Sequence, residues 1–182
     1  GGCNLSVTPL RVSRQKYCHD SLFNVKRVLE PELMDSSEQA LAYSEADFSL
    51  SDRGFMEGLA KYLIESGQAI FSDHVIIDLG CGPGKITELL ANQWPQCQVC
   101  GIDGAEVMLD LARKRKDQFL PHLKSLKYLR RNIASLADTN KKTNLKGNLL
   151  VSNSLLHHLH DPLELWRTLI NLSYPESIVF HR

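Results

Sequence analysis

A doubly wound α/β fold, with a mostly parallel sheet between helices, is the architecture this sequence predicts, and three observations predict it. The stretch Val75-Ile76-Ile77-Asp78-Leu79-Gly80-Cys81-Gly82-Pro83-Gly84-Lys85 reads as a buried strand, a tight glycine turn and a helix start. From there to the end, short apolar runs alternate with amphipathic ones, which argues for parallel strands joined by helical crossovers. The next strand closes on Gly101-Ile102-Asp103-Gly104, an acid at the strand end where a doubly wound sheet meets a ribose.

Length and composition bound the possibilities. A chain of 182 residues suits one domain with a sizeable core. Formal charge is zero, so there is no global electrostatic case for nucleic-acid or membrane partners. No apolar run approaches the ~20 residues of a membrane span. Five cysteines, an odd number spread through the chain, suggest a reducing, cytoplasmic setting rather than a disulfide framework.

The elements follow in order. Residues 1–21 read as a leader or a disordered terminus, since Gly1 to His19 hold bases but no acid. An organelle is therefore the alternative location. Residues 22–72 form a predicted helical cap. A helix at Leu22–Glu30 stops near Pro31, another starts at Ser36 with a Ser36/Gln39 capping box and reaches Ala46, and a third runs from Asp52 or Arg53 to Ser66. Phe55, Leu59, Tyr62 and Leu63 share one face of that third helix, and Gly67 stops it. Tyr43 and Phe48 are conceivable pocket walls, with ordinary packing as the plainer role. Residues 73–182 form the predicted sheet domain. Its strands are Val75–Leu79, Val99–Asp103, Leu126–Leu129, Asn148–Asn153 and Ser177–Phe180. Its helices are Ile86–Gln93, Ala105–Gln118 (with Val107, Met108, Leu111 and Ala112 as its apolar positions), and one opened by Asp161-Pro162-Leu163-Glu164. Ala134–Gly147 reads as a polar loop. The basic run Arg113–Lys116 reads as a solvated helix end that complements the helix dipole.

The glycine turn excludes two familiar cradles by counting. A phosphate P-loop needs its first glycine at Leu79 and a Ser or Thr at Ile86. The dinucleotide pattern Gly-x-Gly-x-x-Gly fails because Lys85 or Thr87 falls at the third glycine. What stands is Asp-x-Gly-x-Gly-x-Gly, with the acid at the strand end. This resembles motif I of the class I S-adenosylmethionine-dependent methyltransferases, whose sheet domain is Rossmann-like. The resemblance extends over roughly Val75 to Leu172. It takes in Asp103 and the segment Ser152-Asn153-Ser154-Leu155-Leu156-His157-His158-Leu159-His160-Asp161-Pro162, which is similar to the fourth-strand region of small-molecule members.

The resemblance implies S-adenosyl-L-methionine as cofactor and methyl transfer to a small-molecule acceptor. The amides of Gly80, Cys81, Gly82 and Gly84 are expected along the methionine part, and Asp78 at its α-amino group. Asp103 and Gly104 are expected at the ribose, with Met108 beside the adenine or simply in the core. Asn132 and Ile133 take the place where the family often has an acid for the adenine amino group, and Asn153 completes the cofactor set. Asn148 replaces a usual acid at the fourth strand's start, and the Asn/Asp-Pro-Pro-aromatic signature of nucleobase and glutamine enzymes is absent. His157 or His158 is the candidate general base for a hydroxyl or carbon acceptor, with structural or capping histidines as the other reading. No metal site is expected, since Cys97-Gln98-Val99-Cys100 has no second pair and alternation points its thiols to opposite faces.

Three rival classes remain at this point: a nicotinamide-dependent oxidoreductase, a non-catalytic cofactor-binding fragment, and an RNA or protein methyltransferase. The fragment reading rests on the family's usual antiparallel strand pair, for which no residues follow Arg182. Ser177–Phe180 is then expected as an exposed sheet edge, a place for two copies to pair.

Overall fold

The computed structural model describes residues 36–138 and 143–182. Five strands, β1 (Val75–Leu79), β2 (Gln98–Asp103), β3 (Leu126–Arg130), β4 (Gly147–Ser152) and β5 (Ser173–His181), make one sheet. Its order is β3-β2-β1-β4-β5 and every pairing is parallel. The expected mostly parallel sheet is thus wholly parallel among the described residues. Register aligns Leu126, Val99, Ile76, Leu149 and Ile178 in one row across all five strands. All five are buried. Strand alternation puts the next row, with Ile77, Cys100 and Leu150, on the opposite face.

Helices cover both faces. α3 (Lys85–Gln93) and α4 (Glu106–Phe119) pack on the first, joined by α2 (Ser49–Glu65) through Phe55, Leu59 and Leu63. The short α5 (Ile133–Leu136) and α6 (Leu163–Leu172) cover the second, through Ile133, Leu136, Leu165, Leu169 and Leu172. Cys97 lies in the first core and Cys100 in the second, as alternation requires. Asp161 caps α6, its Oδ1 accepting the Leu163 N–H at 2.9 Å, and Pro162 already has a helical φ of −55°. Among the described residues no helix is long and apolar enough to cross a membrane.

The cap consists of α1 (Ser37–Glu45) and α2. Its expected leader and the Leu22–Glu30 helix lie outside the described residues. α1 begins where expected, but Ser36 makes no side-chain cap bond, so the capping box does not form. α2 ends in a Schellman turn: Gly67 has φ +65°, Gln68 N–H donates to Leu63 O and Gly67 N–H to Ile64 O. Tyr62, expected on the buried face, is 41% exposed and only borders Phe180.

Two other expectations are corrected. The stretch Ala134–Gly147 is not all loop, because α5 occupies its start. Asn132 Oδ1 caps that helix through the Ala134 N–H, and α6 holds it through Thr168 Oγ1 to Ile133 O and Asn171 Nδ2 to Leu136 O. The basic run is paired rather than merely solvated. Arg115 forks onto Glu88 of α3 at 3.0 and 2.8 Å, and Arg113 bonds Glu106 and Asp110.

Chain direction across the sheet reverses at β1, which lies between β2 and β4. The segments leaving β1 and β4 therefore diverge, and the crevice they open lies at the carboxyl ends of the strands.

Candidate functional site

The turn after β1 is built on three positive φ angles, Gly80 (+70°), Gly82 (+51°) and Gly84 (+84°). Only glycine takes these without strain. The turn hugs β2: Gly80 and Cys81 both donate their N–H to Ile102 O, at 2.8 and 3.1 Å, and Gly84 donates to Cys81 O. Gly82 N–H donates to Asp103 Oδ2 at 2.8 Å. This departs from the expectation that the loop amides face a ligand. The parallel pairing of β1 with β2 runs on into the turn and uses the Gly80 and Cys81 amides, and of the three turn glycines only Gly82 leaves its Cα side open, since Leu155 packs on Gly80 and Tyr128 on Gly84.

Asp103 stands at the centre. Besides Gly82 it accepts from the Ala105 N–H through Oδ1 at 2.9 Å. Burial lifts its pKa above the ordinary carboxylate range, and these amides pull it back down. A carboxylate has about four lone-pair positions, so acceptor capacity remains after two amides are bound. A cleft open to solvent lies beside it. Gly80, Gly82 and Gly104 form its floor, Met108 and Ile133 an apolar side, and Asn132 and Asn153 polar borders. The sheet thus brings together most of the predicted cofactor residues.

A second chamber adjoins this cleft on the other side of the loop. Asp78, Cys81, Pro83 and Lys85 line it with Phe48 and Asp52 of the cap. Tyr43, Gly80, Gly82, Asn153 and Ser154 border both spaces. Asp78 is 2% exposed, and its Oδ2 accepts from the hydroxyl of Thr87 at 2.6 Å. Burial pushes its pKa up to about 7, against the lowering effect of that hydrogen bond. Burial likewise raises the Cys81 thiol well above its usual value, which makes it a packed, protonated side chain rather than a nucleophile.

The histidine pair divides. His157 and His158 sit on a 3₁₀ turn (Leu156–His158) with rings 4.1 Å apart. His158 lines the first cleft, near enough to Asp103 to stabilise its charge, whereas His157 is not among the lining residues.

Several further residues line these spaces or buttress them, and local sequence marks them only weakly. Tyr43 was visible only as a conceivable wall. Its ring packs on Phe48 at 4.9 Å, and burial, Asp52 and Asp103 together raise its pKa. Thr87 carried one unused signal, a hydroxyl between Ile86 and Leu90 on an apolar helix face. Ser154 takes φ +57°, rare for a non-glycine residue, and its N–H donates to Arg182 O at 2.9 Å. No local sequence feature announces that conformation.

Comparison with known proteins bears on the family and the fold. Residues 76–173 match the profile of the family described as "Methyltransferase domain". A protein named trans-aconitate 2-methyltransferase from Variovorax paradoxus (strain S110) is 56% identical over 43 residues, 24% of this chain and 17% of that protein. The protein of the same name from Yersinia pestis (strain Pestoides F) is 33% identical over 111 residues, 60% of this chain and 38% of that one. The matches thus span well under half the length of these curated relatives. Among solved structures, the plantazolicin methyltransferase in complex with SAH superposes with TM-score 0.59 at 19% identity, over 79% of this chain and 51% of that chain. Coclaurine N-methyltransferase bound to N-methylheliamine and SAH gives 0.56 at 17% identity, over 71% and 35%. At such identities the likeness shows the fold.

Proposed function

The chain belongs to the methyltransferase-domain family, and from that premise we propose that it binds S-adenosyl-L-methionine in the cleft at Asp103 and methylates a small-molecule acceptor. The observation that carries this reading is Asp103, a buried-side carboxylate with spare acceptor capacity between a glycine floor and an apolar wall. The site fits the group: a Cβ at Gly82 would have only Tyr43 nearby, so a ligand meets bare backbone there, and an apolar side (Met108, Ile133) faces polar borders (Asn132, Asn153) across the cleft.

Asp103 would accept from the two ribose hydroxyls, with Met108 and Ile133 against the adenine faces. Asn132 Oδ1 already caps α5, so its second lone pair is what remains for an adenine amino group. Asp78 would hold the α-ammonium inside the second chamber. When bound, the cofactor supplies an activated sulfonium methyl, which passes to the acceptor lone pair as the carbon–sulfur bond breaks. The chain contributes positioning and exclusion of water. Where the acceptor is a hydroxyl or carbon acid, His158 is better placed than His157 to take its proton, because it lines the cleft.

The relatives' names, one for trans-aconitate and one for coclaurine, support a small-molecule acceptor. The free thiols of Cys81, Cys97 and Cys100 support a reducing, cytoplasmic compartment. β5 has a neighbour on one side only among the described strands, which supports pairing of two copies.

Titration calorimetry with S-adenosylhomocysteine and with NAD tests the reading. A micromolar dissociation constant for the first, on the order of −8 kcal/mol, is expected. Heat with NAD and none with S-adenosylhomocysteine would overturn it.

A further inference from the structure

We infer that Lys85 recognises the α-carboxylate of the cofactor's aminoacyl tail, so that the second chamber holds a zwitterion between Asp78 and Lys85. The inference rests on the cofactor reading above and assigns a specificity residue within it.

Lys85 follows Gly84 as the first residue of α3, lines the chamber, and its side chain reaches the segment between α1 and α2. There Nζ donates to Ala46 O at 2.7 Å and lies 5.5 Å from the centre of the Phe48 ring. Neither partner neutralises its charge. An ammonium has three donors, and the Ala46 carbonyl takes one. Among the described residues no carboxylate lies within 4 Å ion-pair distance of it. Asp52 and Asp47 feel its charge only at longer range. A cation held at a chamber wall without a counter-ion is an anion's place.

The opposite sign is set into the same chamber. Asp78, buried and fixed by Thr87, lines it together with Asp52 of α2. A phosphate or an isolated carboxylate would meet Lys85 but also face both acids. A neutral group would give Lys85 no counter-ion and leave Asp78 with the Thr87 hydroxyl alone. An amino-acid tail carries one ammonium and one carboxylate on a single carbon and answers both at once. The positive end of α3, at Lys85 itself, adds to the preference for the carboxylate on that side.

The test compares two ligands that share the nucleoside and thioether. S-Adenosylhomocysteine carries the aminoacyl tail, and 5′-methylthioadenosine lacks it. For Lys85→Met, S-adenosylhomocysteine affinity should fall about tenfold, the size of a lost charge-assisted hydrogen bond. Affinity for 5′-methylthioadenosine should stay within about twofold, since Lys85 then has nothing to read. Lys85→Arg, which keeps the charge and donors, should retain most of the preference for the longer ligand. Circular dichroism checks that each variant is folded. Equal weakening of both ligands would mean that Lys85 only straps the cap to the loop, and would overturn the inference while the cofactor reading stands. An unchanged S-adenosylhomocysteine constant in Lys85→Met would do the same. Failure of the wild-type protein to bind either ligand would instead remove the cofactor reading, and the inference with it.

Discussion

Asp78 and Asp103 end adjacent strands, yet their surroundings give them different work. Asp103 keeps two backbone donors and a wall on the cleft. Asp103→Ala should therefore weaken S-adenosylhomocysteine binding by roughly 1–3 kcal/mol, through lost hydrogen bonds to ribose and a loosened Gly82. Calorimetry showing an unchanged constant would remove the ribose role. Asp78 is enclosed, and burial raises its pKa to about 7. The unfolded carboxyl titrates near its usual ~3.9. Between those values the unfolded chain has released a proton that the folded chain keeps, so the unfolded state binds fewer protons. Stability should then decline as pH rises from about 4 to about 7 and level off above. Urea midpoints across this window should show the decline in wild type, and Asp78→Asn should remove that component. Parallel profiles for the two proteins would contradict it. Both acids were legible as strand-end residues. Their partners were not, because Thr87 and Gly82 reach them across turns whose geometry is set by packing.

At the scale of elements, the glycine turn and β2 behave as one piece. Gly101 sits opposite Asp78 and Tyr128 in the strand register. A Cβ there would meet Tyr128 Cδ1 at 2.7 Å and Cys81 Sγ at 2.9 Å, both far inside normal contact. Gly101→Ala should cost about 1–3 kcal/mol as an overpacked core position, read as a lower denaturation midpoint. Because Cys81 belongs to the loop, cofactor affinity should fall with it. An unchanged midpoint would show that the Tyr128 ring can move aside. Most strands and long helices were readable closely, since apolar periodicity and glycine punctuation are local signals, but β5 begins at Ser173 rather than Ser177 and α2 at Ser49 rather than Asp52. α5 was missed because four residues carry too little periodicity. It exists through contacts from α6, with Thr168 and Asn171 bonding its carbonyls.

At the scale of the whole molecule, α1 and α2 lie against the sheet domain among the described residues, and Tyr43, Phe48 and Asp52 border the candidate site. Phe180 of β5 meets Phe55 edge-on at 5.2 Å and borders Tyr62 at 5.9 Å. Gly58 leaves room for that ring, since a Cβ there would lie 3.3 Å from Phe180 Cζ. At the other end, Ala40 packs with Ala105 and Met108, and Lys85 bonds Ala46. Phe180→Ala should cost about 2–4 kcal/mol, a lost aromatic contact plus an unfilled space, measured by urea denaturation. It should also weaken S-adenosylhomocysteine, because Tyr43 and Phe48 reach the site from the same cap. Loss of stability without loss of affinity would show that α2 and the site are uncoupled. The sequence by itself determined what local chemistry can determine: strand, glycine turn and helix in order, the positive-φ glycines, and acids at the ends of β1 and β2. Only the tertiary structure decided which loop amides were already taken by β2, that His158 rather than His157 lines the cleft, that Arg115 pairs with Glu88, and that Tyr43 borders both chambers. Those choices depend on contacts between residues distant in the chain, and such contacts exist only once the sheet has brought the elements together.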